Sequence, residues 1–205
     1  MARSSTTAPP SDEELACRAQ QGCRASFEEL VRRFQTPVLQ FLQHRGAAAV
    51  AEDLLQDTFV RAYVNLSRYR SRWRFATWLF TIARRVSLND QRRRRPQSGG
   101  AAIEAAEHAA PGPAEMAAAA DSRRYLWDRA ARALSQDELT AVWLHYVESL
   151  STREIAAVLE RSSMAVKTMI FRARKKLLPL LEELAPDGSA ASSAAAPARS
   201  RALCV

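Results

Sequence analysis

A four-residue pattern, Ser-x-x-Glu, constrains the fold of this chain more than any other feature, because it recurs directly before segments whose apolar residues have helical spacing. In this capping box, the serine and glutamate side chains each satisfy a backbone N–H group at the helix start. The pattern begins at Ser11, Ser26, Ser135 and Ser151. Glycine is scarce, at 6 of 205 residues, and no segment is typical of a β-strand. The sequence therefore predicts an all-α protein.

Helix stop signals and changes of composition divide the chain into two small helical domains. The first predicted domain covers residues 11–96 and the second covers residues 116–184. The helices predicted in the first domain span residues 12–21, 27–44, 50–66 and 76–94. Residues 97–115 are rich in Ala, Gly and Pro and lack Lys and Arg, which predicts a flexible linker. Residues 185–205 have little to bury, so we expect a disordered C-terminal tail.

Positive charge is concentrated in two segments of the chain, whose net charge is +8. Residues 68–95 contain ten Arg and one acidic residue, and residues 161–176 contain six basic residues and no acidic one. Two separated basic segments predict two separate contacts with a polyanion such as nucleic acid. The sequence shows neither an apolar run long enough to span a bilayer nor the apolar core of a secretory signal. We therefore expect a cytoplasmic protein without membrane insertion.

Residue types that carry catalysis or bind metals are not grouped in this sequence. The three cysteines, Cys17, Cys23 and Cys204, form no CxxC motif, and there are only three histidines. No glycine-rich P-loop is present, and no nucleophile lies in a pattern with a general base. We therefore expect no metal, no cofactor and no enzyme activity.

Residues 151–176 have the pattern of a helix-turn-helix. Ser151 precedes a short helix, a turn follows at residues 160–162, and a longer helix comes next. Its predicted outer face carries Lys167, Thr168, Phe171, Arg172, Arg174 and Lys175. In this motif the second helix enters the major groove, where its N-terminal residues reach base edges and its cations neutralise phosphates. A solvated basic face is the alternative interpretation, and repressors, response regulators and sigma factors all use the motif.

An acidic face is predicted on the third helix. Asp53, Gln56 and Asp57 lie at i, i+3 and i+4, so they share one side of that helix. Such a triplet is ordinary solvated surface unless a basic partner binds it.

Aromatic residues alternate with arginine from Tyr69 to Phe80. This combination suits single-stranded nucleic acid, because aromatic rings stack on unpaired bases while arginine holds the backbone. Trp78 and Phe80 cannot share a helix face, so we expect at least one of them in the core. Tyr69 and Trp73 lie in the predicted loop and are the better candidates for base contact.

Together these segments resemble the extracytoplasmic-function sigma factors over roughly residues 24–96 and 120–182. The matching motifs are residues 51–63 (region 2.2), 75–84 (regions 2.3 and 2.4), and 144–156 with 166–177 (region 4). Their order and spacing, with a linker between the two groups, are specific to the family. The resemblance implies a region 2-like domain followed by a region 4-like helix-turn-helix domain.

The resemblance also implies a function and a set of site residues. It implies a non-catalytic, alternative sigma subunit that directs RNA polymerase to −35 and −10 promoter elements and promotes DNA opening. Asp53, Gln56 and Asp57 match positions that dock on the β′ clamp helices, and the second domain would rest on the β flap. The residues expected at the −10 element are Tyr69, Arg72, Trp73, Arg74, Arg84, Arg85 and Asn89. Those expected at the −35 element are His145, Lys167, Thr168, Phe171, Arg172 and Arg174. An anti-sigma factor is a further partner that the family often has.

Several positions depart from the family pattern, and these changes bear on promoter sequence and not on the role. Arg85 and Asn89 stand where the family usually has Asn and Asp, and Ser149 and Glu160 stand where Gly is common. A stand-alone helix-turn-helix regulator that binds duplex DNA without polymerase is the alternative function. It accounts for residues 151–176 but leaves the first domain unexplained.

Overall fold

The computed structural model describes residues 9–94 and 125–184, and every regular element in these two ranges is helical. The all-α prediction is therefore confirmed. The α-helices in chain order are α1 (Asp12–Gln20), α2 (Arg24–Leu42), α3 (Ala51–Val64), α4 (Phe75–Arg94), α5 (125–133), α6 (Gln136–Tyr146), α7 (Thr152–Leu159) and α8 (Ser163–Leu184). The predicted linker at 97–115 and tail at 185–205 lie outside the described residues.

Three of the four predicted capping boxes begin a helix as expected. Ser11, Ser135 and Ser151 are the N-cap residues of α1, α6 and α7, and in each box both hydrogen bonds are present. The prediction at Ser26 is wrong, because α2 begins at Arg24 after the N-cap Cys23, and Ser26 is buried inside its first turn. The Ser26 hydroxyl donates to the Cys23 sulfur, 3.2 Å away, and so cannot cap a helix start there.

Helices α1 to α4 enclose the core of the first domain. The rings of Phe41 and Phe80 meet edge to face with centroids 5.2 Å apart, and those of Phe34 and Phe75 do the same at 5.5 Å. All four rings are buried, and each contributes about 2–3 kcal/mol on the scale for burying a large apolar side chain. These contacts fix α4 on α2 and position the loop at residues 69–74 at one end of the domain.

Helices α7 and α8 form the predicted helix-turn-helix, with a tight turn between them and α6 packed against both. Ile155, Leu159 and Val166 are buried between the helices. Ser149 and Glu160 have positive φ angles of 52° and 57°. Glycine adopts this left-handed conformation without strain, whereas other residues lose about 1 kcal/mol or more there. The backbone at these two positions is therefore one that glycine would adopt with less strain than serine or glutamate.

Replacing Ser149 by glycine is expected to raise the free energy of unfolding by about 0.5–1 kcal/mol, because the relief of left-handed strain exceeds the extra chain entropy of glycine. Urea titration followed by circular dichroism measures this change. The matched control is Ser67→Gly, in the 3-10 turn Leu66–Arg68, where φ is not positive. The control is expected to destabilise the protein, and a comparable loss for Ser149→Gly would contradict the strain argument.

The two domains contact each other chiefly where α4 packs against α7. Arg45, in the π-helical turn Gln43–Ala47, lies in this region and is 2% exposed. Its guanidinium donates to the hydroxyls of Ser87 on α4 and Thr140 on α6. Burial lowers the pKa of Arg45 to about 10, with the nearby Arg84 acting in the same direction. The aromatic residues that meet beside it are His44, Trp127 and Trp143.

Candidate functional site

The acidic face predicted on α3 lies at the surface. Asp53 and Gln56 are exposed, and Asp57 is partly exposed. The Arg61 Nε atom donates to Asp57 Oδ1 at 2.7 Å, within the same helix. The pattern at i, i+3 and i+4 therefore produces one accessible polar face, as the sequence indicated.

Two apolar side chains extend this face along α3. Val60 is 60% exposed and Val64 is 72% exposed, and their spacing from Asp53 and Asp57 places them on the next turns of the same side. Sequence reasoning missed them, although the i, i+4, i+7, i+11 spacing was available. An acidic patch followed by exposed valines is suited to a protein partner, because the valines would bury apolar area while the carboxylates set the orientation.

The structure corrects the expectation for Tyr69. Its ring is 2% exposed, and its hydroxyl donates to the Trp73 carbonyl oxygen at 2.8 Å. The ring packs against Phe75 and Trp78, with centroids 5.6 Å and 5.5 Å away. Tyr69 therefore supports the loop from inside and does not present its ring to a base, since tertiary packing turns this loop aromatic inward.

The rest of the loop remains at the surface. Arg72 and Arg74 are exposed, and Trp73 is partly exposed. The guanidinium of Arg153, on α7, lies over the Trp73 ring at 5.9 Å from its centroid. The Arg74 side chain donates to the Ser149 carbonyl oxygen at 3.3 Å. The side chains of Trp73 and Arg74 thus both contact the second domain.

The α4 residues expected at the same nucleic-acid surface lie farther along the helix. Arg84 has an 11% exposed side chain and pairs with Asp137 of α6 at 3.3 Å, whereas Arg85 is well exposed and pairs with Glu160 at 2.8 Å. The Arg85 guanidinium that donates to Glu160 lowers the pKa of that carboxyl. Asn89 is exposed on the following turn.

The outer face of α8 is accessible, as the helix-turn-helix pattern predicted. The exposed residues on it include Lys167, Thr168, Phe171, Arg172, Arg174 and Lys175. Phe171 is 68% exposed, which is unusual for a large apolar ring without a partner. The opposite face buries Val166, Ile170 and Ala173. The helix therefore presents a cationic face with one aromatic ring to solvent.

His145 and Arg174 lie at the edge of this face. His145 Nδ1 lies 3.3 Å from the Leu150 carbonyl oxygen, so its N–H donates there and holds the ring against the turn before α7. Arg174 donates to the Tyr146 hydroxyl, and its guanidinium lies over that ring at 5.3 Å. The side chains of His145 and Arg174 are thereby fixed at the edge of the cationic face.

Within residues 9–94 and 125–184, no group of three or more His, Cys, Asp or Glu side chains is arranged to hold a metal ion. In the same part of the chain, none of the helices combines the length and apolar character needed to cross a bilayer. The surfaces described above are therefore the chemically distinctive features of the described residues.

Comparisons with known proteins give consistent matches along the chain. Residues 30–97 match the sequence model of sigma-70 region 2, and residues 124–177 match that of sigma-70 region 4. The ECF RNA polymerase sigma-E factor of Escherichia coli K12 is 31% identical over 184 residues, which cover 83% of this chain and 96% of that protein. The RNA polymerase sigma-H factor of Pseudomonas aeruginosa is 32% identical over 186 residues, 84% of this chain and 96% of that protein.

Solved structures show the same similarity. CnrH in complex with the cytosolic domain of CnrY has a TM-score of 0.63 and 27% identity, over 85% of this chain and 99% of that one. The sigma factor RpoE of Bartonella quintana, in complex with the anti-sigma factor NepR, has a TM-score of 0.62 and 25% identity, over 76% of this chain and 96% of that one. Both matches extend over most of the described helices.

Proposed function

The chain belongs to the extracytoplasmic-function family of sigma factors, and from this premise we propose that it is an alternative sigma factor. It binds core RNA polymerase, recognises −35 and −10 promoter elements and promotes DNA opening. The chain acts by binding and positioning and carries out no catalysis of its own. Because its partner polymerase works in the cytoplasm, we place the protein there too.

One observation carries this proposal: the two cationic surfaces lie on different domains, in the order of sigma-70 region 2 and region 4. A helix-turn-helix regulator needs only the outer face of α8. The loop at residues 69–74, the arginines of α4 and the acidic face of α3 have no role in such a regulator. All three have a role in a subunit that must hold polymerase and an opened DNA strand together.

We propose that α3 is the polymerase-binding surface. Asp53, Gln56 and Asp57 provide the polar contacts with the β′ clamp helices, and Val60 and Val64 extend the contact with apolar area. The exposure of these side chains supports the proposal. The second domain, proposed to span residues 116–184, rests on the β flap.

The −10 element is proposed to contact the loop and α4. Trp73 stacks on an unpaired base, and the surrounding cations hold the DNA backbone. The residues of this surface are Arg72, Trp73, Arg74, Arg84, Arg85 and Asn89, and we refer to them as the −10 surface. Removing a base from the stack costs a few kcal/mol, and stacking on an aromatic side chain returns about 1–3 kcal/mol per base. Opening therefore needs no nucleotide hydrolysis.

The −35 element is proposed to contact the outer face of α8. Lys167, Thr168, Phe171 and Arg172 lie toward the N-terminal half of this helix, which is the half that reaches base edges in a helix-turn-helix. His145 and Arg174, at the edge of the face, are positioned for the DNA backbone. The two structures reported above include a sigma factor bound to an anti-sigma factor, and we propose such a factor as a further partner of this chain.

Replacing Arg172 by alanine is expected to lower transcription from a promoter of this factor about tenfold, because an arginine contact with a base edge is worth about 1–3 kcal/mol. In vitro transcription from one mapped promoter measures the loss. The exposed Arg132 on α5 provides the control variant Arg132→Ala, which is expected to retain activity. The Arg172 effect must disappear when the −35 element is scrambled; an equal loss on both templates would contradict base recognition by this residue.

Dependence on polymerase distinguishes the sigma factor from the stand-alone regulator. Sheared genomic DNA of the source organism is incubated with the chain alone, with sigma-free core polymerase alone and with both, and the retained fragments are sequenced. The proposal predicts enrichment of discrete fragments only when both proteins are present. Equal enrichment by the chain alone would favour the regulator.

A further inference from the structure

Helix α1 contributes a side chain to the start of the loop at residues 69–74. The Gln20 carboxamide donates to the carbonyl oxygens of Leu66 and Tyr69, at 2.8 Å and 3.1 Å. Because a carbonyl oxygen only accepts hydrogen bonds, it is the NH2 group of Gln20 that must lie between these two oxygens. The bonds join residues 46 and 49 apart in the chain. They fix the turn that leads from α3 into the loop.

A second side chain of α1 holds the end of the same loop. The backbone N–H of Phe75, the first residue of α4, donates to Glu13 Oε1 at 3.1 Å. The first N–H groups of a helix have no partner inside it, and a short polar side chain just before the helix usually satisfies one of them. Arg74 stands at that place and has no acceptor atom in its side chain. Glu13 therefore supplies the acceptor from another helix, and its negative charge suits the positive end of the helix dipole.

Between these two ends, the loop is held by hydrogen bonds of its own. The Tyr69 hydroxyl donates to the Trp73 carbonyl oxygen, and the Trp73 N–H donates to the Arg70 carbonyl oxygen at 3.2 Å. Burial raises the pKa of Tyr69, and the Glu13 carboxylate acts in the same direction, so the hydroxyl stays protonated and remains a donor. Gln20 thus fixes the backbone of the tyrosine whose hydroxyl in turn fixes the backbone of Trp73.

The two polar side chains of α1 lie at the surface, although the helix itself is packed on the first domain. Leu15 and Ala16 are buried in the core and hold α1 in place. Gln20 is exposed and Glu13 is partly exposed, so replacing either one removes little apolar packing. Both precede residue 30, where the match to sigma-70 region 2 begins. We call Gln20 and Glu13 the loop anchors.

We propose that the loop anchors are positioning residues for promoter opening, which hold the loop in the arrangement in which Trp73 can stack on an unpaired base. This inference rests on the proposed function, which gives Trp73 its role. A loop that is already ordered before DNA arrives loses less conformational entropy on binding. More of the stacking free energy is then available to keep the base out of the duplex.

Hydrogen exchange of the free, full-length chain tests whether Gln20 orders the loop. Gln20→Glu keeps the shape of the side chain but replaces the NH2 group by an oxygen that cannot donate. Exchange of the backbone amides in residues 66–75 is expected to become about tenfold faster, because two hydrogen bonds are lost. The matched control is Gln21→Glu, the same substitution at the next residue, which is also exposed. Unchanged exchange in Gln20→Glu, or an equal increase in both variants, overturns the proposal.

Promoter opening is the second readout, measured by 2-aminopurine fluorescence in the −10 element. Gln20→Glu is expected to open the promoter about tenfold less well than Gln21→Glu, the effect of losing two neutral hydrogen bonds that order the loop. Closed-complex formation, measured by filter binding, is expected to be equal in the two variants. Faster exchange without any loss of opening overturns the positioning role.

The two variants Glu13→Gln and Glu13→Ala test the other anchor. Glutamine retains an oxygen that can accept from the Phe75 N–H, so Glu13→Gln is expected to keep most of the opening. Glu13→Ala has no acceptor and is expected to lose it about as strongly as Gln20→Glu. Equal opening by the two Glu13 variants overturns the assignment of this residue.

A double-mutant cycle with Trp73 separates positioning from a general loss of structure. If Gln20 acts through the Trp73 ring, Gln20→Glu has little further effect on opening in a Trp73→Ala background. The same tenfold loss in that background overturns the proposal. Failure of the proposed function would appear differently, as absent polymerase-dependent opening by the unaltered chain. The hydrogen-exchange result uses neither polymerase nor promoter and is independent of that failure.

Discussion

Reversing the charge of both Asp53 and Asp57 to lysine is expected to weaken binding of core RNA polymerase about 100-fold while leaving the fold intact. Each carboxylate that loses a charged partner in an interface costs about 1.5 kcal/mol or more, and each 1.4 kcal/mol is a tenfold change in affinity. Both side chains are at the surface of α3. Fluorescence anisotropy of the labelled chain titrated with sigma-free core polymerase measures the dissociation constant.

The Asp53/Asp57 variant is expected to lose little free energy of unfolding compared with its loss of binding free energy. Lysine at Asp53 opposes the helix dipole in the first turn of α3, and lysine at Asp57 removes the pair with Arg61; each effect is worth about 0.5 kcal/mol. The control variant Glu28→Lys/Asp128→Lys makes the same change of net charge at exposed positions on α2 and α5. It is expected to bind polymerase within about threefold of the unaltered chain, allowing for long-range charge effects. A folded Asp53/Asp57 variant with unchanged affinity would show that α3 is not the docking face.

Replacing Trp73 by alanine is expected to reduce promoter opening about 10- to 100-fold, with little effect on formation of the closed complex. The loss corresponds to one base stacked on an aromatic ring, about 1–3 kcal/mol. The variant also removes the contact of the Trp73 ring with the Arg153 guanidinium on α7. Fluorescence of 2-aminopurine in the −10 element reports opening, and filter binding reports total complex.

Two comparisons make this prediction specific to base capture. Trp73→Phe retains a stacking ring and is expected to recover most of the opening. A template whose −10 element is already unpaired is expected to recover transcription by Trp73→Ala, because the unpairing cost has been removed. Equal losses in closed-complex formation and opening, on paired and unpaired templates alike, would mean that Trp73 has a structural role like that of Tyr69.

Local signals in the sequence predicted the helices well. The capping boxes at Ser11, Ser135 and Ser151 depend on residues three apart, so they can be recognised without knowledge of the fold. Ser26 has the same pattern, but α2 begins two residues earlier, after Cys23, and Ser26 is buried within its first turn. A matching local pattern is therefore not sufficient to place a helix start.

Periodicity in the sequence predicted which site residues are exposed on a helix. It did not predict which side chains of a loop are exposed. The outward side of α8 and the polar side of α3 follow from periodicity, whereas the orientation of Tyr69 depends on Phe75 and Trp78 closing over it. The pair formed by Arg85 and Glu160 joins residues 75 apart in the chain. Each departs from the family pattern on its own, and only the packing of α4 on α7 brings the two side chains together.

Transcription from genomic DNA tests the central claim most directly. The purified chain is added to sigma-free core polymerase from a related bacterium, with fragmented DNA of the source organism as template, and the 5′ ends of the RNA are sequenced. If the chain is a sigma factor, the RNA has discrete start sites that share elements near −10 and −35 and that vanish when the chain is omitted. No initiation, together with stable binding of the chain alone to specific duplex DNA, would contradict the sigma factor role and support a stand-alone regulator.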